Sequence, residues 1–63
     1  MKSRLKDILD ERGIKQSHFV KKFGISPKTM SALYRGETTP TLINAYRIAK
    51  ELGLKIEDIW WEE

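Results

Sequence analysis

Residues 24–36 read GISPKTMSALYRG. Ser26 and Pro27 together open a helix: a serine hydroxyl accepts from the first free backbone N–H groups, and proline fits the first helical position, where its missing donor costs nothing. Gly36 closes the helix, because glycine tolerates the left-handed backbone found at helix ends. Between them, Met30, Leu33 and Tyr34 recur at i, i+3 and i+4 and form one apolar face. Lys28, Ser31, Ala32 and Arg35 recur on the other face at i, i+3, i+4 and i+7. That outer face is small, polar and basic. Its composition suits either a solvated surface or one that reads an anionic partner.

Working outward, helical periodicity covers nearly the whole chain. Leu5, Ile8 and Leu9 make the stripe of a first helix, with Ser3 as its expected cap and Gly13 as its stop. Ile14 is placed to pack back on it. Gln16–Phe23 is a second helix with Phe19, Val20 and Phe23 inward, ended by Gly24. GETTP, residues 36–40, reads as a loop. Thr41 caps a fourth helix whose apolar face is Leu42, Ala45, Tyr46, Ile48, Ala49 and Leu52, with Gly53 after it. Ile56, Ile59 and Trp60 give a last short helix. No period-two alternation persists long enough for a strand. The expectation is an all-α fold of five short helices, with the aromatic rings of the helices on their inner faces.

The chain has 63 residues, enough for a single domain spanning 1–63. At that length only about 60% of the unfolded surface can be buried, so the core must be compact. There is no cysteine, which excludes a disulfide framework and fits a reducing compartment. No apolar run approaches a membrane span. MKSRLKDILDERG interleaves charges and reads as no signal peptide. The expected location is the cytoplasm, on the nucleoid when bound.

The net charge is +3, and its distribution says more than its size. Residues 1–35 hold nine Lys/Arg against three Asp/Glu, whereas residues 36–63 hold three against six. The basic half contains the helix at 27–35, which points to an anionic partner at that end.

The joint between the second and third helices is a few residues around Gly24. A joint that tight prevents antiparallel packing and makes residues 16–35 a helix-turn-helix, whose second helix protrudes enough to enter a major groove. Here the sequence resembles the helix-turn-helix domain of the Cro/CI phage repressor and XRE-type regulator family over residues 5–60. LKDILDERGIKQ is similar to the family's first helix and turn. Gln16, Phe19, Gly24, Ile25, Met30 and Leu33 stand at the hallmark positions of the unit. RGETTP, TLINAYRIAKELGL and KIEDIW resemble the loop and the last two helices. The resemblance implies a compact five-helix lambda-repressor-like domain and a bacterial, archaeal or phage DNA-binding regulator. Relatives often pair an arginine in helix one with a glutamate before the Arg-Gly of helix three. Leu9 and Tyr34 stand there instead and are expected to meet in the core. Val20 replaces the usual alanine or glycine, and the loop residues Glu37, Thr38 and Thr39 lack the basic side chains some relatives aim at phosphates.

On this reading Pro27, Lys28, Ser31, Ala32 and Arg35 face base edges. Lys28 can donate to guanine O6 and N7, and Ala32 can touch a thymine methyl. Pro27 offers apolar contact or shape only. Arg35 can reach a base or a phosphate, or be a solvated cation favoured at a helix C-terminus. Gln16 is the leading phosphate contact, since its side chain and the helix N–H groups point the same way. Lys15, Thr29 and Thr38 add charge and hydroxyls. Lys21 and Lys22 read as ordinary solvated lysines, and His18 as a surface residue with no further ligands for a metal. No nucleophile–base pair and no phosphate-binding glycine loop is present, so neither catalysis nor a cofactor is expected. The partner expected is double-stranded DNA, through a near-palindromic operator, bound by a homodimer joined at Trp60 and Trp61. The contrasting reading is an antitoxin or another protein-interaction module on the same scaffold.

Overall fold

The computed structural model describes all 63 residues. Five helices follow one another: α1 (Leu5–Arg12), α2 (Gln16–Phe23), α3 (Pro27–Tyr34), α4 (Leu42–Leu52) and α5 (Ile56–Ile59). Two strands of two residues each, β1 (Lys2–Ser3) and β2 (Trp60–Trp61), flank them. They pair antiparallel, with Lys2 opposite Trp61 and Ser3 opposite Trp60. The Arg4 N–H donates to the Ile59 carbonyl at 3.0 Å and extends this clasp between the chain ends.

The clasp corrects two sequence expectations. Ser3 lies in β1, and Arg4 takes the cap position of α1 without a side-chain cap bond, although the Ser3 hydroxyl accepts the Leu5 N–H at 3.3 Å. Trp60 belongs to β2 because the chain turns extended (φ −124°, ψ 136°) directly after Ile59. Two residues are too few for alternation to be visible in the sequence.

The local signals at the other helix ends operate as the residue types dictate. Ser26 Oγ accepts the Thr29 N–H at 3.1 Å, with Pro27 in the first turn. Thr41 Oγ1 accepts the Asn44 N–H at 3.2 Å. Gly24 ends α2 in the left-handed conformation (φ 68°) and nothing would meet an added Cβ, so glycine serves the backbone there and not the packing. After Gly13, the Ile14 N–H returns to the Leu9 carbonyl at 2.9 Å, and Ile14 packs partly buried on the core.

Thirteen residues are buried, all of them apolar, and seven large ones (Leu5, Leu9, Phe19, Met30, Leu33, Ile48 and Ile59) are wholly sealed. They come from every helix, so α3 is fixed by the core that holds the rest. Val20, Phe23 and Tyr34 pack against this core from its edge. The Arg12 guanidinium donates to the Leu52 carbonyl at 2.6 Å and ties the end of α1 to the end of α4. Trp60 is buried as well, and its indole N–H has no hydrogen-bond partner.

The inner face expected for α4 is narrower than its apolar residues suggest. Ala45, Ile48, Ala49 and Leu52 are buried, whereas Leu42 is 80% exposed and Tyr46 54%. At about 100° per residue, Tyr46 stands roughly 110° round the helix from the centre of the buried stripe. Leu42 is the first helical residue, ahead of the stripe's first member. Tyr46 therefore corrects the expectation that it lies on the inner face of α4, whereas Trp61 is exposed as its place at the chain end leads one to expect.

Candidate nucleic-acid interface

The outer face of α3 is built by its own start. The Ser26 cap fixes the first turn, and Pro27, Lys28 and Thr29 stand exposed on it. The Ser26 hydroxyl also donates to Thr29 Oγ1 at 2.9 Å. That bond uses an acceptor site of Thr29 and leaves its hydroxyl proton available to an outside acceptor. One turn on, Ser31 and Ala32 are half-buried. Met30 and Leu33 point the other way and are fully buried, so the two faces separate as their spacing requires.

Lys28, Thr29, Ala32, Thr38, Thr41 and Asn44 line one concave strip between α3, the following loop and the start of α4. Lys28, Thr29, Ala32 and Thr38, expected from the sequence to face DNA, share this strip with Thr41, expected only as a cap, and with Asn44, to which the sequence assigns no role. The available signal was that a cap at Thr41 brings the first turn of α4 alongside the loop that carries Thr38.

Lys28 takes part in none of the four ion pairs of the chain. A cation in the first turn opposes the helix dipole, and nothing inside the protein offsets it. Arg35 differs. Its Nε donates to Glu37 Oε2 at 2.7 Å and its Nη2 to Glu37 Oε1 at 3.0 Å. Its Nη1 donates to the Ser31 hydroxyl. The hydrogen-bonded Arg35 guanidinium holds the Glu37 carboxyl below its ordinary pKa, and that carboxylate raises Arg35 further above the range in which it could lose its proton.

Gln16 begins α2 and is half-buried, and Lys15 precedes it in an extended conformation, exposed. Lys15 lines a separate hollow with Ser17, His18, Lys21 and Glu51. It stands apart from the strip beside α3. Lys22 is not a free lysine: its Nζ donates to Glu51 Oε1 at 2.7 Å, while His18 Nε2 lies 2.5 Å from Oε2. Lys22 first, then His18, holds the Glu51 carboxyl below its ordinary pKa. These contacts brace α2 against α4. No group of three His, Cys, Asp or Glu side chains converges anywhere in the chain. No helix is long and apolar enough to cross a membrane.

Residues 4–60 match the Cro/C1-type HTH DNA-binding domain. The chain belongs to that family. Among its curated relatives is an uncharacterized HTH-type transcriptional regulator of Methanocaldococcus jannaschii, 40% identical over 60 residues covering 95% of this chain and 91% of the relative. Another is the uncharacterized HTH-type transcriptional regulator YgzD of Bacillus subtilis, 30% identical over 63 residues, all of this chain and 96% of the relative. A third, from Archaeoglobus fulgidus, is 32% identical over 60 residues. The chain is thus a helix-turn-helix DNA-binding domain over residues 4–60.

Proposed function

We propose that this protein binds duplex DNA sequence-specifically through α3 and represses transcription by occupying a near-palindromic operator as a homodimer. The observation that carries the reading is the unpaired Lys28 beside Pro27, Thr29 and Ala32 on the exposed face of α3. A lysine so placed has its donors free for guanine O6 and N7. The hydroxyls of Thr29 and Thr38 flank it, where phosphates would run, with Gln16 and Lys15 at the start of α2 as further backbone contacts. One small module makes few contacts, and a second copy on the neighbouring half-site doubles them at a spacing of about 34 Å. Trp61, 37% exposed at the chain end, is the proposed anchor between copies. The activity is binding without catalysis, and repression follows from occupancy.

Selection of bound duplexes from a random pool tests this. The expected result is an enriched site with two related halves, and affinity that falls steeply with salt. Recovery of no preferred sequence would sink the reading.

A second reading, a protein-interaction module such as an antitoxin, draws support from one feature. Leu42, Ile43 and Tyr46 are exposed together on the first half of α4, at 80%, 55% and 54%. Binding through that face would be insensitive to salt, which separates it from phosphate-driven binding.

A further inference from the structure

We infer that Glu37 is a specificity-determining positioning residue, which holds the Arg35 guanidinium so that it reads a base and is withheld from the phosphate backbone. The inference rests on the DNA-binding reading above and decides between the two contacts open to Arg35.

A guanidinium carries five N–H donors in a fixed planar fork. The Glu37 carboxylate takes one edge of it, through Nε at 2.7 Å and Nη2 at 3.0 Å. The Ser31 hydroxyl takes one donor of Nη1. Three donors are therefore satisfied inside the protein, and two remain, one on each terminal nitrogen. Glu37 occupies the side edge, so the remaining Nη2 hydrogen lies on the end of the fork. Guanine presents O6 and N7 to such an end.

Two consequences follow for recognition. A guanidinium held by partners on two elements, α3 and the loop after it, has fewer orientations open to it before DNA arrives, so ordering it on the duplex costs less. The adjacent carboxylate also cancels most of the field that would draw Arg35 to any phosphate. An arginine without that neighbour would add equally to all duplexes. With it, Arg35 adds mainly where a base offers acceptors to the free end. Glu37 is the one charged residue of the loop GETTP. In that setting a carboxylate facing DNA would weaken binding everywhere, unless it acts through a cation that touches the DNA.

The experiment compares wild type, Arg35→Ala, Glu37→Ala, Glu37→Gln and the double alanine variant on the selected duplex and on duplexes altered at each base pair in turn. All are exposed side chains, and circular dichroism confirms that each variant is folded. In wild type one guanine pair should be preferred through Arg35, and Arg35→Ala should abolish that preference. Glu37→Ala should lower discrimination at the same pair by about tenfold while binding to unrelated duplexes rises, with a salt dependence steeper by about one phosphate. Glu37→Gln, which keeps one acceptor oxygen, should fall between. In the Arg35→Ala background, removing Glu37 should leave every base preference as it was. If Glu37→Ala raises affinity for all duplexes equally and changes no preference, Glu37 is only a repulsive charge and the inference is wrong. If Arg35→Ala alters no base preference while wild type still selects a site, it is equally wrong. Failure of wild type to select any duplex would instead remove the function reading on which it stands.

Discussion

The Tyr34 hydroxyl donates to Asp10 Oδ1 at 2.6 Å, joining the last residue of α3 to α1. Lys6 donates to the other carboxylate oxygen at 2.8 Å and stands 5.7 Å from the Tyr34 ring centroid. The family resemblance implies an arginine and a glutamate for this α1–α3 link. Leu9 and Tyr34 stand at those positions, and the expectation was an apolar contact. Leu9 is indeed sealed in the core, whereas Tyr34 stays at its edge and reaches past to the residue after Leu9. The phenol is long enough to keep the link polar at the surface while its ring covers the core.

Placing glutamate at 34 should therefore not strand a charge in the core. It should set a second carboxylate against Asp10, with Lys6 as the shared cation. Tyr34→Glu is expected to lower the melting temperature at neutral pH, and Asp10→Asn in the same chain to recover much of that loss. Thermal melts of the two single variants and the double decide it. Strict additivity of the two effects would show that the side chains do not interact.

Three carboxylates, Asp10, Glu37 and Glu51, are held below their ordinary values of 3.8, 4.5 and 4.5, each chiefly by a hydrogen-bonded cation, with the Tyr34 hydroxyl second at Asp10. In the window between folded and unfolded values the unfolded chain binds more protons, so stability rises with pH there. The contribution is complete above the ordinary carboxylate range and is lost as pH falls through the depressed values. Urea midpoints should hold steady down to about pH 5 and then drop toward about pH 3. Glu51→Gln should have a lower midpoint at neutral pH and a shallower acid fall. A fall of unchanged steepness would mean that Lys22 and His18 contribute nothing through Glu51.

Lys28 and Gln16 should separate base reading from positioning. Lys28→Ala removes a cation that no internal carboxylate engages, so its fold should be unaffected. Its cost should appear on the best site, at roughly 1–3 kcal/mol, with relaxed preference at one or two base pairs. Gln16→Ala should weaken all duplexes evenly. Equal losses for Lys28→Ala on specific and random DNA would exclude it as a base reader.

The boundaries of α2, α3 and α4 were legible because their signals are local, whereas the start of α1 and the end of α5 were not. Ser26-Pro27, Thr41 and the glycines at 13, 24 and 53 act on the backbone within a turn of themselves. What stayed hidden depends on distant residues. The β1–β2 clasp needs both ends of the chain at once, and two-residue strands carry no period. The outward turn of Tyr46 depends on how far the core wraps round α4, which an apolar letter does not encode. The site shows the same division. The exposure of Lys28 follows from helical spacing, whereas the capture of Arg35 by Glu37 crosses from helix to loop, where no periodicity sets the geometry.

The adjacent tryptophans should behave oppositely. Alternation along β2 sends their side chains to opposite faces. Trp60 is 4% exposed and packs in the core, while Trp61, 37% exposed, pairs across to Lys2. Trp60, expected beside Trp61 between two copies, thus has little surface to offer a partner, and that role narrows to Trp61. Trp60→Ala should cost the isolated domain about 3–5 kcal/mol by opening a cavity, which so small a core would barely survive. Trp61→Ala should leave the fold nearly as stable but weaken binding to a duplex with two half-sites. Large exposed aromatics carry a disproportionate share of the energy where two proteins meet. Sedimentation at rising protein concentration, with and without that duplex, reads the outcome. The expected wild-type species on DNA is two copies per duplex, formed cooperatively, and Trp61→Ala should abolish the cooperativity while each half-site still binds one copy. Unchanged cooperativity in Trp61→Ala would place the contact between copies elsewhere, with the exposed Leu42, Ile43 and Tyr46 as the next surface to substitute.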